Sequence, residues 1–196
     1  MNIGVIGCGN VSDIYFQNCK RFEGLKIVAC ADLDSGRARA KAEQHGVPRW
    51  CSTAELISAP EVEAVLNLTR PASHFELAMK ALEAGKHIYN EKPLAITRAD
   101  GQKLIETARR KNLRIGCAPD TFMGTGLQTS RKLIDAGAVG QPVAAIGVMM
   151  YPGHESWDPD PEFFYQPGGG PLFDMGPYYL TALVSLLGPV RRVTSS

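Results

Sequence analysis

The feature that most constrains this chain is a glycine turn, Gly7-Cys8-Gly9-Asn10-Val11-Ser12. It follows the apolar run Asn2–Ile6 directly and leads into Val11, Ile14, Tyr15, Cys19 and Phe22, which recur at helical spacing. A strand that turns through glycine into a helix offers free backbone N–H groups and the positive end of the helix dipole to an anion. Gly7 permits the tight turn, Gly9 lets the backbone approach a pyrophosphate, and Ser12 stands for the third glycine, small enough for close helix–strand packing. The next apolar run, Leu25–Ala31, reads as a buried strand, and Asp32 stands at its end, twenty residues beyond Ser12. A carboxylate there takes the ribose hydroxyls of an adenosine. A glycine turn alone is common; turn, strand–helix context and acid together predict a dinucleotide site formed by Gly7, Cys8, Gly9, Asn10, Val11 and Asp32. Asp32 favours NAD, because a 2′-phosphate would meet its negative charge. Arg37 and Arg39 downstream soften that charge and keep NADP open.

The alternation continues to residue 120. Ser35 opens a helix that Gly46 ends, and Trp50 sits in a short extended piece. Ser52 and Glu55 form a capping-box pattern, and Ser73 and Glu76 repeat it before a helix that stops at Gly85. Ala64–Leu68, His87–Asn90 and Arg114–Cys117 read as strands, and Thr97 and Asp100 open a helix running to about Asn112. This order predicts an α/β fold, a Rossmann doubly wound parallel sheet over residues 1–120. Ligands of such sheets lie beyond the carboxyl ends of the strands. Thr69 and Arg70 follow one strand, Glu91-Lys92-Pro93 the next, and Asp120 the last; His74, early in a helix, is a further candidate on the cofactor side. Lys92 so placed can hold the nicotinamide ribose or a substrate oxygen, and the ordinary alternative is a surface Lys-Pro turn.

Composition narrows the partners. The chain has 196 residues, 44% hydrophobic and 21% charged, which is enough apolar surface for a core. Its 21 basic and 20 acidic residues form no long run of one sign, so no nucleic-acid partner is expected. Five cysteines without a Cys-x-x-Cys pattern predict buried thiols, no metal site and a cytoplasmic protein. No signal-peptide pattern and no membrane-spanning run of about 18 apolar residues is present.

Beyond residue 120 the pattern changes. Leu127–Ala136 predicts a helix, Val143–Met150 a strand and Leu172–Leu187 a helix, and Val190–Thr194 looks like the start of another strand. Between them, Pro152–Pro171 is a loop rich in Pro, Gly and aromatics. These elements do not close a domain, so residues 121–196 read as a partial second domain and the chain as truncated or an isolated piece. The loop carries His154 and Trp157; its aromatics could stack on a sugar ring or simply pack the loop.

The stretch Ala81-Leu82-Glu83-Ala84-Gly85-Lys86-His87-Ile88-Tyr89-Asn90-Glu91-Lys92-Pro93-Leu94 resembles the signature of the Gfo/Idh/MocA oxidoreductase family. The glycine turn and Asp32 match it too, and Gly168-Gly169-Gly170-Pro171-Leu172-Phe173-Asp174-Met175-Gly176-Pro177-Tyr178 resembles the family's glycine-rich approach to its active-site helix. The likeness covers essentially the whole chain. It implies a Rossmann domain, then an α+β domain with an open, mostly antiparallel sheet, the active site between them, and a homo-oligomer in the full-length form. It implies NAD(P)-dependent oxidation of a secondary alcohol on a sugar, cyclitol or related polyol. It implies that Lys92 contacts the nicotinamide end and the substrate and that Asp174 completes the site, while the family's histidine four residues later is Tyr178 here. Residues four apart on a helix share a face, so Asp174 and Tyr178 can serve one spot. Lys92, Asp120, His154, Trp157, Asp174 and Tyr178 are the substrate-side candidates, and Lys92, Tyr178 and His154 the alternatives for the acid/base. A non-catalytic dinucleotide-binding sensor of the same fold and an interaction role are the rival readings.

Overall fold

Strands that are apolar on both sides are satisfied only in a sheet covered on both faces. The computed structural model, which describes every residue except 157, 159, 160, 195 and 196, builds such a sheet from the first part of the chain. Its strands are β1 (Asn2–Ile6), β2 (Lys26–Ala31), β3 (Trp50–Cys51), β4 (Ala64–Asn67), β5 (His87–Asn90) and β6 (Ile115–Cys117). All pair in parallel, in the order β3-β2-β1-β4-β5-β6. This is the Rossmann arrangement, and the strand order reverses between β1 and β4.

Five helices cover it: α1 (Ser12–Cys19), α2 (Ser35–His45), α3 (Thr53–Ser58), α4 (Pro71–Glu83) and α5 (Arg98–Arg110). The pleat sorts the side chains into two cores. Val5 and Cys30 join Phe16 of α1 and Ala38 and Ala42 of α2 on one face. Ile6, Ala31 and Val65 join Ala78 and Leu82 of α4 and Leu104 of α5 on the other.

Local signals hold at several helix ends. Asp34 Oδ1 accepts from the backbone N–H of Gly36 at 2.9 Å to start α2. Ser52 and Glu55 cap α3 reciprocally, and Thr97 Oγ1 accepts from Asp100 N at 3.1 Å to start α5. Two expectations are corrected. Ser73 and Glu76 are no capping box, because α4 starts earlier, with Arg70 as N-cap and Pro71 in the first turn, where a missing N–H costs nothing. Glu76 pairs with Lys80 instead, at 2.6 Å. On α1 the buried residues are Ser12, Phe16 and Cys19, whereas Ile14 and Phe22 are 57% and 62% exposed. Val11 and Phe22 lie outside the helix, so a spacing counted from them misplaces its inner face.

The chain divides into two units, Met1–Ala118 and Pro119–Ser196. The second is helical among its described residues: a 3₁₀ turn at Thr121–Met123, α6 (Thr125–Asp135), a 3₁₀ turn at Pro161–Tyr165, α7 (Gly170–Asp174) and α8 (Gly176–Leu187). The strands expected at 143–150 and 190–194 do not form among the described residues. A strand exists by pairing, and the apolar side chains of Val143, Ile146 and Met150 stay exposed. The single helix expected over 172–187 is broken at Met175, whose backbone (φ −107°, ψ −24°) departs from helical values. Among the described residues no helix is long and apolar enough to cross a membrane.

Asp13 ties α1 to α2. Its Oδ1 accepts from Lys41 Nζ at 2.5 Å and meets His45 Nε2 at 2.7 Å, and His45 stacks on Phe16 with ring centres 4.8 Å apart. The hydrogen bonds from Lys41 and then His45 hold the Asp13 carboxyl below the usual carboxylate range. A depressed carboxyl stabilises the fold above its ordinary pKa, and that contribution is lost as pH falls through the folded value. The stability gap between the native chain and Asp13→Asn, measured by urea unfolding, is therefore expected to be present at pH 6 and to close below about pH 4.

Candidate active site

The carboxyl ends of β1, β2, β4 and β5 lie along one edge of the sheet, and the sequence candidates of the first unit gather there. Gly7 begins the turn after β1 with φ +96°. A Cβ on Gly7 would lie 2.7 Å from the carbonyl carbon and oxygen of Leu68, so only glycine lets the turn cross the end of β4 at this distance. A Cβ on Gly9 would meet nothing within 4 Å, which leaves open space above the loop. Ser12 is fully buried beneath it, its Oγ donating to Gly9 O at 2.6 Å.

Asp32 binds the turn. Its Oδ2 accepts from Cys8 N at 2.7 Å, its Oδ1 accepts from Asp34 N at 2.9 Å, and Arg37 Nη2 lies 3.3 Å from Oδ1. The backbone N–H of Cys8 is committed to Asp32, and its side chain is buried in the core. Contact with Cys30 and burial push the Cys8 thiol up, so it carries no charge toward a ligand. Among the described residues no hydrogen bond occupies the N–H groups of Gly9, Asn10 or Val11. Of the two arginines that could offset Asp32, Arg39 turns to Glu43 at 2.8 Å and Arg37 alone reaches the aspartate.

The turns after β4 and β5 lie beside it. Glu91 Oε1 accepts from the Tyr15 hydroxyl at 2.6 Å, and Oε2 accepts from Lys92 N at 2.9 Å. Glu91 therefore serves as the brace of Lys92. Tyr15, which sequence reasoning took only as an apolar helix position, links α1 to this turn. Lys92 is half-buried and precedes a cis peptide to Pro93. Burial, with Glu91 adding to it, pushes the neighbouring Cys117 thiol up to about 12, so it stays protonated. The Thr69 hydroxyl donates to Asn67 Oδ1 at 2.7 Å, and Arg70 is exposed at the start of α4. His74 is fully buried, and both of its ring nitrogens lie against backbone carbonyls. Asn67 and Asn90, also fully buried, were not singled out from the sequence, where a strand-end asparagine looks like any turn residue.

In the second unit two of the candidates meet. His154 Nε2 lies 3.2 Å from Asp174 Oδ2, with His154 3% and Asp174 22% exposed at the side chain. The imidazole stacks on Phe164 at 3.9 Å between ring centres, and Tyr151 and Phe163 meet it edge-on. Phe163 and Phe164 thus pack the loop around the histidine. The helix break at Met175 removes the continuous turn on which the shared face of Asp174 and Tyr178 was argued; Tyr178 sits, half-buried, in the first turn of α8. Asp120 is exposed at the start of the 3₁₀ turn, and Trp157 lies outside the described residues.

Residues 1–118 match the model of the oxidoreductase family with an NAD-binding Rossmann fold, and residues 127–196 match that of the GFO/IDH/MocA C-terminal domain. The chain belongs to the Gfo/Idh/MocA oxidoreductase family. Among curated relatives, Oxidoreductase P35 of Formosa agariphila is 27% identical over 203 residues, covering 98% of this chain and 62% of the relative. Inositol 2-dehydrogenase of Ralstonia nicotianae is 33% identical over 153 residues, covering 73% and 44%. Among solved structures, myo-inositol 2-dehydrogenase from Lactobacillus plantarum shares the fold with a TM-score of 0.84 at 20% identity, covering 96% of this chain and 56% of that one. The chain spans about half the length of the relatives it matches.

The residues present fit the Gfo/Idh/MocA family's dinucleotide. Gly9 leaves open space, no hydrogen bond among the described residues occupies the N–H groups of Gly9, Asn10 and Val11 just before α1, and Asp32 follows the adjacent strand. The two glycines make separable demands. Gly7→Ala is expected to cost about 1–3 kcal/mol of stability through its positive φ and the clash with Leu68. Gly9→Ala is expected to stay within about 0.5 kcal/mol of the native chain while weakening dinucleotide binding. Denaturant unfolding and NADH fluorescence titration of both variants check the contrast.

Proposed function

We propose that this chain takes part in hydride transfer between a nicotinamide cofactor, NAD with NADP open, and a secondary alcohol of a sugar, cyclitol or related polyol. The observation that carries the reading is one sheet edge holding a dinucleotide-type glycine turn locked to Asp32 and, two strands away, Lys92 braced by Glu91. The names of the inositol dehydrogenase relatives support the substrate class. When bound, the nicotinamide ring accepts or supplies the hydride.

In this reading the chain supplies position and charge. The unbound N–H groups of the glycine turn take the pyrophosphate, and Asp32 takes the adenosine ribose. In the oxidation direction an unprotonated Lys92 Nζ would take the hydroxyl proton as the hydride leaves the carbinol carbon, and the ammonium so formed donates to the new carbonyl oxygen; in reduction the same ammonium returns that proton to the developing alkoxide. Within the second unit, Asp174 is the candidate for orienting a substrate, and His154 Nε2 lies 3.2 Å from its carboxylate. Tyr178 in place of the family's histidine favours a second reading, a dinucleotide-binding sensor without turnover.

Titration with NADH and NADPH, followed by assay against inositols and sugars, tests both. The native chain is expected to bind NADH, Asp32→Ala to bind it more weakly, and Lys92→Ala to lose about 10²–10⁴-fold in kcat with cofactor affinity retained. Stoichiometric NADH binding with no polyol oxidised would sink the enzymatic reading and leave the sensor. No binding by a folded native chain would sink both.

A further inference from the structure

The ends of β4 and β5 cover a polar cluster where the surrounding core is apolar. Asn67, His74 and Asn90 are each 0% exposed. Burying three polar side chains is unfavourable unless each is hydrogen-bonded. Asn67 and Asn90 face each other as the last pair of the β4–β5 ladder, and Asn67 Nδ2 donates to Asn90 Oδ1 at 3.1 Å. His74 reaches in from the first turn of α4. Its Nδ1 lies 2.7 Å from the carbonyl oxygen of Pro93, and its Nε2 lies 2.8 Å from that of Thr69. Asn90 Nδ2 donates to Leu94 O at 3.1 Å, while Asn67 Oδ1 accepts from the Thr69 hydroxyl at 2.7 Å. The contacts beyond the ladder thus end on two turns: the one after β4, and the one after β5 that carries Lys92.

We propose that His74 is a positioning residue for Lys92, a strut that clamps the Lys92–Pro93 turn to the turn after β4. The inference rests on the reading of Lys92 as the residue that meets the substrate. Parallel strands fix their neighbours only as far as the ladder runs, and this ladder ends where the two turns begin. Both partners are carbonyl acceptors, so the rigid ring joins the two turns when both of its nitrogens carry a proton and donates to one of them otherwise, whereas an amide side chain in its place reaches one. Packing alone would be met by an aromatic hydrocarbon of similar shape.

His74→Phe keeps the ring and removes both contacts; His74→Gln keeps a donor for one. In His74→Phe, NADH affinity is expected to hold. Backbone hydrogen exchange at Glu91, Lys92 and Leu94 is expected to rise by about tenfold or more while the glycine turn exchanges as before. Turnover is expected to fall about 100-fold in kcat with KM for the cofactor unchanged, as for a displacement of a reacting group by about 1 Å. His74→Gln is expected to lie between. Native exchange at Glu91, Lys92 and Leu94 in His74→Phe, or equal losses in kcat and cofactor affinity, would overturn the proposal. Should both variants fail to fold, the native chain still decides: slowly exchanging His74 ring protons on both nitrogens, Nδ1–H with nuclear Overhauser contacts to Pro93 and Nε2–H with contacts to Thr69, support the strut, and a proton on one nitrogen only, or none, overturns it. Exchange and resonance measurements need no turnover, so failure of the strut is distinct from a native chain that oxidises no polyol.

Discussion

Everything at the candidate site depends on how closely the first turn crosses the end of β4. Gly7 lies so near the Leu68 carbonyl that no side chain fits between them, and its positive φ carries the chain from β1 into α1 within a few residues. That closeness occurs where the strand order reverses, the place at which an open parallel sheet leaves a crevice. Asp32 stitches the turn from the other side by accepting the Cys8 N–H. The loop is held by a steric limit on one flank and a charge-assisted hydrogen bond on the other, and the N–H groups beyond it stay available.

The electrostatics of the first unit follow from the same edge. Asp32 is shared among two backbone N–H groups and Arg37, so its charge is partly met before any ligand arrives. Glu91 likewise divides its carboxylate between Tyr15 and the Lys92 backbone. Its charge thereby orients the turn. In the second unit, a near-buried imidazole among aromatic rings does the corresponding service for Asp174.

Much of this was legible in residue order. The glycine turn, Asp32 at the end of β2, the Ser52–Glu55 cap and the strand before Glu91-Lys92-Pro93 are local signals, and the structure forms each where they stand. The failures were also local readings. Ser73 and Glu76 have the spacing of a capping box, but Pro71 starts α4 before them. The helix over 172–187 carries its own breaker in Gly176-Pro177: proline has no N–H to give the preceding turn, and the chain restarts as α8 after Met175 with Pro177 in the first turn. The segment 143–150 has the composition of a strand and no partner among the described residues.

The sequence by itself determined the alternation that makes a parallel sheet, and the turn and acid that mark its first crevice. These follow from hydrogen-bonding periods and backbone sterics that act within a few residues. Only the tertiary structure decided that His74 faces two backbone carbonyls, that Asn67 and Asn90 meet, and that Asp174 pairs with His154. Each of those joins residues 5 to 23 positions apart through side chains whose reach depends on how the elements carrying them pack. No local period encodes such a meeting, so it becomes visible only when the chain is folded.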